Sequence, residues 1–251
     1  AGSGKTTTLY AMLQALNREN KNIITIEDPV EYTIHGINQI QVDGKIDFAN
    51  GLRAALRQEP DIIMVGEIRD VETAKIAIRS AITGHLVLST LHTKDAVGAI
   101  IRLIDMGREQ FLLASSVVGV VSQRLVRVLC PKCKIKSDLS SQYMQFLKTI
   151  DFSSKIVDAY FPVGCSFCNF KGYKGRIGVF EILVITDDIK HALWEGVKEE
   201  ELFHLAIQLG MQTIQDQCLT LLSQGVTDIQ EVLRVIYSNE LMYVKGGEDR
   251  I

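Results

Sequence analysis

The sequence predicts an α/β fold built on a parallel-rich sheet covered by helices, with a small cysteine-pinned insertion and a helical C-terminal region. Three observations predict it. Apolar runs alternate with stretches of helical periodicity through the first half, which is how a sheet covered on both faces looks. Two Cys-x-x-Cys pairs, Cys130/Cys133 and Cys165/Cys168, then interrupt the pattern. Beyond them helical patterns succeed one another, with Gly210 and Gly225 as stops.

Taken in order, residues 22–26, 38–42, 61–65 and 85–91 read as strands. Residues 5–18, 47–58, 71–82 and 95–106 read as helices, each long enough for a right-handed crossover. Residues 130–175 carry Gly164, Gly172, Gly175 and mixed polar content around a helix-like 140–149. A strand is expected at 176–184, followed by helices at 187–194, 198–208, 213–223 and 228–237. The expected domains are a nucleotide-binding core at 1–128, a tetracysteine insertion at 129–175, a strand and helical subdomain at 176–240, and a tail at 241–251. The charged stretch 245–250 is expected to fray.

A chain of 251 residues with 47% apolar content can bury one large core with a smaller unit attached. A net charge of −3 argues against a protein that coats nucleic acid. No uninterrupted apolar run of about 18 residues and no leader segment stand out, so a cytoplasmic location is expected.

Gly2-Ser3-Gly4-Lys5-Thr6 fits the end of the phosphate-loop pattern G-x-x-x-x-G-K-[ST], with a helical run following at once. Glycines let successive backbone N–H groups converge on phosphate oxygens, and a helix N-terminus favours their charge. On this reading Gly2, Ser3, Gly4, Lys5, Thr6 and Thr7 hold the phosphates of ATP, and Thr6 also binds Mg2+. The first glycine of the pattern would fall two positions before Ala1. The chain is therefore expected to start inside its own phosphate loop, as part of a longer protein.

A phosphate loop needs a carboxylate at the end of a neighbouring strand, and Glu67 follows the apolar run 62–65. It is the candidate to hold Mg2+ directly or through water. Gly66-Glu67 stands where an ordinary Walker B motif has an aspartate. Glu27 and Asp28 end another apolar run, and paired acids repel unless a metal, a base or water uses them. Glu27 is expected to be the base that orients the attacking water, with Asp28 supporting the metal shell. His92, just past a third run, could sense the γ-phosphate. His35, His191 and His204 have no such setting.

In a cytosolic chain, Cys-x-x-Cys pairs read as metal before disulfide. Cys130, Cys133, Cys165 and Cys168, with 31 residues between the pairs, make a closed four-sulfur zinc site, structural rather than catalytic. Cys218, among Leu219, Leu221 and Leu222, reads as a small core residue.

Taken together, Gly2 to Thr8, the Ile26-Glu27-Asp28-Pro29-Val30-Glu31-Tyr32 segment, Leu56 to Asp61, Val65 to Asp70, and Thr83 to Thr93 resemble the secretion ATPase superfamily. Gln123 to Arg127, the cysteine pairs and Gly175 to Glu181 extend the resemblance over nearly the whole chain. It implies a RecA-like domain of a hexameric ATPase, with ATP bound between it and an upstream domain. It also places Glu27 and Asp28 in the family's aspartate box, Glu67 in its Walker B motif, and His85 and His92 in its histidine box. Arg53 and Arg57 could reach nucleotide or a neighbouring chain, or be solvated helix charges. The cysteine pairs resemble the secretion and pilus-assembly ATPases rather than the retraction ATPases. The implied partners are a homo-hexamer and an inner-membrane platform protein, giving peripheral membrane association.

Two readings compete with a motor for type II secretion or type IV pilus assembly. One is a DNA-uptake or conjugation-type ATPase. The other is a non-hydrolysing nucleic-acid module, suggested by Lys132, Lys134, Lys136, Lys171, Lys174 and Arg176 with Phe167, Phe170 and Tyr173 between them. The acidic overall balance stands against it.

Overall fold

A computed structural model describes residues 2–107, 109–150, 152 and 158–237. The tail expected at 241–251 lies outside them. The described chain forms two compact units, one of residues 4–120 and 183–209, the other chiefly of 121–182 and 210–237.

The first unit is built on four parallel strands in the order β2 (Asn38–Gln41), β1 (Ile23–Glu27), β3 (Ile62–Val65), β4 (Leu86–Ser89). Every residue of β1 and β3 is buried, as expected of central strands that read as continuous apolar runs. Register pairs Ile26 with Val65 and Val65 with Ser89, so the carboxyl ends of β1, β3 and β4 lie side by side. In open parallel sheets that edge is where ligands bind.

Helices α1 (Lys5–Leu16), α2 (Phe48–Leu56), α3 (Val71–Ile82) and α4 (Ala96–Asp105) belong to the same unit. Aspartates start three of them: Asp47, Asp70 and Asp95 accept from the N–H groups of Asn50, Thr73 and Gly98. Helix α1 buries Tyr10 and Leu13 against Ile23, Ile62 and Met64. Its middle meets the carboxyl end of β1 through Tyr10 and Glu27, while Asn17 just past its end donates to the His35 carbonyl, before β2. Helix α1 therefore runs antiparallel to the strands, and its N-terminus points past their carboxyl ends. Helix α2 crosses β1 at Gly51, where a Cβ would come within 2.9 Å of Ile26. Helices α5 (Gln110–Ser116), α7 (Asp187–Trp194) and α8 (Glu199–Gln208) complete the unit, α5 packing on α3 and α7.

In the second unit, β5 (Gly119–Leu129) pairs with β8 (Tyr173–Val184), and β6 (Ile135–Lys136) pairs antiparallel with β7 (Tyr160–Phe161). Helices α6 (Ser141–Thr149), α9 (Ile214–Ser223) and α10 (Ile229–Tyr237) supply most of its core, with Leu147, Cys218, Leu222, Val232 and Ile236 packed around Val126 and Val179. Cys218 is fully buried there.

A buried ionic network ties β5 to α10. Glu231 is inaccessible and accepts from the Arg127 N–H at 2.9 Å, the Arg127 Nε at 2.8 Å and the Arg234 Nε at 2.8 Å. The Arg127 guanidinium lies 4.0 Å from the ring centre of Tyr173 on β8, whose hydroxyl donates to Asp228. Burial alone would push the Glu231 carboxyl up, but Arg234 and Arg127 outweigh it and hold it down to about 2. A depressed carboxyl contributes stability that is present above its unfolded value of about 4.3 and lost as pH falls through the folded value. The unfolding midpoint of this unit is thus expected to drop on acidification from about pH 4.5 towards 2. Glu231→Gln should flatten that dependence and cost about 3 kcal/mol at neutral pH, because two cations lose their partner. Thermal melts across pH check it, and an unchanged slope in the variant would contradict it.

Candidate active site and metal centre

The candidate phosphate-loop residues lead into the first helix. Gly4 caps α1 with φ 85° and ψ 14°, and no side chain caps the helix. Gly2 has φ 84°. Left-handed backbone is inexpensive for glycine and shapes successive N–H groups into an anion-binding concavity. The first-turn donors of α1 have no intrahelical partners, so they too suit an anion. Ser3 and Lys5 are half-buried, and Thr6 and Thr7 are exposed. Among the described residues the Lys5 ammonium forms no ion pair.

At the end of β1, Glu27 is only 3% exposed. Tyr10 and Thr25 donate their hydroxyls to its two oxygens, and Gln39 Nε2 donates to Oε1 at 3.0 Å. The Tyr10 oxygen in turn accepts from the Glu31 N–H at 3.2 Å, and its ring meets Tyr32 edge-on at 4.6 Å. Burial and the bond to Glu27 push the Tyr10 phenol up to about 12, so it remains a donor at neutral pH. This carboxylate links α1, β1, β2 and the loop after β1.

Asp28 is more exposed and lies within 3.8 Å of the Arg69 guanidinium, which also pairs with Glu67. Glu67 follows β3, its side chain 14% exposed, with His92 Nε2 3.1 Å from its Oε2. The Arg69 guanidinium holds the Glu67 carboxyl below the usual range; burial opposes this, and His92 adds to it. Gly66 lets β3 run close to β1 there: a Cβ would sit 3.2 Å from the Ile26 carbonyl and 3.6 Å from the Glu27 Cα. The ends of β3 and β4 are tied by Thr90 Oγ1 donating to Gly66 O at 2.7 Å and by the Ile68 N–H donating to Thr90 O at 3.0 Å. Asp28 and Glu67 thus meet at Arg69 and His92 meets Glu67, while Glu27 faces a separate hydrogen-bonded cluster.

In the second unit Cys130, Cys133, Cys165 and Cys168 bring their sulfurs within 4.8 Å of one another. The shortest separations are 3.8 Å for Cys133–Cys168 and 3.9 Å for Cys130–Cys165 and Cys165–Cys168. Four sulfurs at about 2.3 Å from a tetrahedral ion stand about 3.8 Å apart, so the donor set fits one metal ion. The N–H groups of Gly164, Cys165 and Gly172 donate to Cys133 and Cys168 sulfurs at 3.2–3.3 Å. Burial pushes the Cys133 thiol up to about 11. At Cys168 burial is outweighed by the N–H groups of Cys165 and Gly172, and the thiol falls to about 6.

A family model described as type II/IV secretion system protein matches residues 1–234. The chain belongs to that family. Its relatives include the type II secretion system ATPase E of Vibrio cholerae, 49% identical over 93% of this chain and 46% of that protein. The type IV pilus assembly ATPase TfpB of Acinetobacter baylyi is 48% identical over 94% of this chain and 40% of its own length. The chain therefore spans about half the length of the curated relatives it matches. Among solved structures, the pilus retraction motor PilT with bound ADP superposes with a TM-score of 0.68 at 30% identity, covering 93% of this chain and 58% of that one. The Legionella pneumophila ATPase DotB shares the fold, with a TM-score of 0.66 at 23% identity over 95% of this chain and 58% of that one.

The sheet, the helical C-terminal region and the cysteine cluster are thus those of a secretion-family RecA-like chain. In this family member the remaining sequence candidates lie apart from Glu67. His85 precedes β4 and bonds the Ser80 carbonyl at 3.0 Å, whereas His92 follows the strand's other end. Arg53 pairs with Asn50 and Glu72, and Arg57 is exposed at the end of α2. Tyr10, Thr25, Gln39 and Arg69 join the candidate residues only in the folded chain. Arg69 carries a sequence signal, a cation two residues past a strand-end acid, whereas no motif marks Tyr10.

Proposed function

We propose that the chain is the catalytic part of an ATP-hydrolysing motor that drives pseudopilus assembly for type II secretion or extension of a type IV pilus. The observation that carries this is the alignment of strand ends. Asp28, Glu67 and His92 follow strands whose carboxyl ends lie side by side, the edge towards which the glycine-started helix α1 points its N-terminus, where no side chain caps it. That is an arrangement for positioning a polyphosphate with its cation, and phosphoryl transfer depends on positioning and charge stabilisation. A curated relative named as an ATPase, 49% identical, supports the same chemistry.

In this reading Gly2, Ser3, Gly4, Lys5, Thr6 and Thr7 would hold the phosphates, and Thr6 and Glu67 would hold Mg2+. Asp28 would support the metal's water shell, and His92 would report the γ-phosphate. The base role expected of Glu27 sits poorly with its surroundings. Its two oxygens accept from three side chains and it is 3% exposed, so attacking water has little access. Those bonds support a positioning role, fixing α1 against the aspartate-bearing loop. The metal in the tetracysteine site is read as zinc in a structural role, since four thiolates close the coordination shell. Mg2+, when bound, neutralises phosphate charge. The domain divisions at 128, 175 and 240 remain part of this reading, as do a homo-hexamer, an inner-membrane platform partner and a cytoplasmic location peripheral to that membrane.

Magnesium-dependent ATP binding tests the proposal, on the chain extended to the length of its relatives. Lys5→Ala removes the cation that would reach the phosphates and is expected to weaken binding at least ~10-fold through loss of a charge-assisted contact. Unchanged affinity in the variant would overturn the phosphate-loop assignment.

A further inference from the structure

The metal-held loops of the second unit carry an exposed apolar and cationic tip that nucleotide chemistry does not use. Phe170 is 77% exposed, Val163 59% and Phe167 41%. Lys132 Nζ lies 4.3 Å and Lys174 Nζ 5.0 Å from the centre of the Phe167 ring. Lys171 and Arg176 are also exposed, and residues 159–180 contain no Asp or Glu. None of Lys132, Lys171, Lys174 and Arg176 has a carboxylate partner among the described residues, whereas neighbouring Lys136 pairs with Asp158.

The tip is held in shape. Asn169 and Phe170 have φ of 51° and 58°, and Gly164 brings its backbone so near that a Cβ would sit 2.7 Å from the Phe170 carbonyl. A left-handed phenylalanine is strained backbone, and the cysteine-anchored loop over-determines it. The fold thus keeps a large apolar side chain in water where solvation of a small knob would call only for polar groups.

We propose that this tip is a docking surface for an anionic membrane. Exposed aromatic and aliphatic side chains flanked by lysines suit the boundary between headgroups and acyl chains, where rings enter and ammonium groups stay with anionic headgroups. The net charge of the whole chain is −3, so the cationic tip is a local feature set against the remainder of the molecule. Phe170 and Val163 project into solvent, which suits a lipid surface better than a peptide that must be gripped along its length. The contact is direct, in addition to any anchoring through a platform partner, and is independent of turnover at Lys5 and Glu67.

The test is co-sedimentation of the zinc-loaded chain with vesicles of phosphatidylcholine alone or mixed with phosphatidylglycerol. Binding is expected to the anionic vesicles, to weaken with salt, and to fall at least ~10-fold in Phe170→Asp and in the double variant Lys132→Gln with Lys174→Gln. Metal content and thermal melting, measured on both variants, are expected to match the parent chain, since all three side chains lie at the surface. Equal binding to neutral vesicles, no binding to anionic vesicles, or full binding by a correctly folded Phe170→Asp chain would overturn the proposal. So would tighter binding of an acidic peptide or of single-stranded DNA through the same residues.

Discussion

Replacing Cys133 or Cys168 by serine is expected to remove the bound metal and to unravel the loops around it, leaving the parallel-sheet unit folded. Elemental analysis of reduced, freshly purified protein should find one zinc per chain, and none in either variant. The expected effect is large for a physical reason. A structural zinc site contributes roughly 10–16 kcal/mol, comparable to the roughly 5–15 kcal/mol that separates a whole domain from its unfolded state. The segment it holds has little else: β6 and β7 are two residues each, and Cys130 and Cys168 are themselves its buried centre. The four sulfurs already stand at separations suited to a tetrahedral ion, so binding requires little rearrangement. Limited proteolysis should then cut within 130–172 in the variants and in chelator-treated protein. Cys218→Ser provides the contrast, because Cys218 lies in the α9 core and should leave zinc content unchanged. Absence of metal in the parent protein would contradict the assignment.

The sequence was most legible where structure is decided locally. Fully buried β1 and β3 read as apolar runs because both of their faces are covered, and α2, α3 and α4 are legible from helical periodicity, which the caps Asp47, Asp70 and Asp95 reinforce in the fold. The cysteine cluster was readable for a similar reason, since ligand spacing within each pair is local chemistry. Long-range contacts were not legible. Besides Thr25 on its own strand, Glu27 is bound by residues of α1 and β2, 17 and 12 residues away in the chain, and no spacing rule foretells those two. Nothing in the spacing around Glu231 marks it as a buried anion, because its partner Arg127 lies 104 residues earlier. The pairing of β5 with β8 was hidden for the same reason: 119–129 mixes polar and apolar residues, and its partner lies beyond the whole insertion.

Glu67 is proposed as the carboxylate that would serve Mg2+, and Glu27 as a buried brace. Glu67 is partly exposed, ionised and paired with Arg69 and His92, a charge that a metal shell can recruit. Glutamine in its place keeps the size and loses that charge. Turnover is therefore expected to fall at least ~10²-fold, on the scale of a positioned catalytic group, with ATP still bound. Glu27→Gln should act differently. It disturbs the bonds from Tyr10, Thr25 and Gln39, so it should lower the melting temperature, while turnover falls only about 10-fold because a positioning contact, not the reacting group, is lost. The measurement is phosphate release by the chain extended to the length of its relatives, comparing the parent with Glu67→Gln and Glu27→Gln at matched nucleotide occupancy. Glu67→Gln is expected to abolish nearly all turnover with unchanged melting, and Glu27→Gln to be less active and less stable. Near-normal phosphate release by Glu67→Gln, or complete loss in Glu27→Gln at full stability, would contradict it.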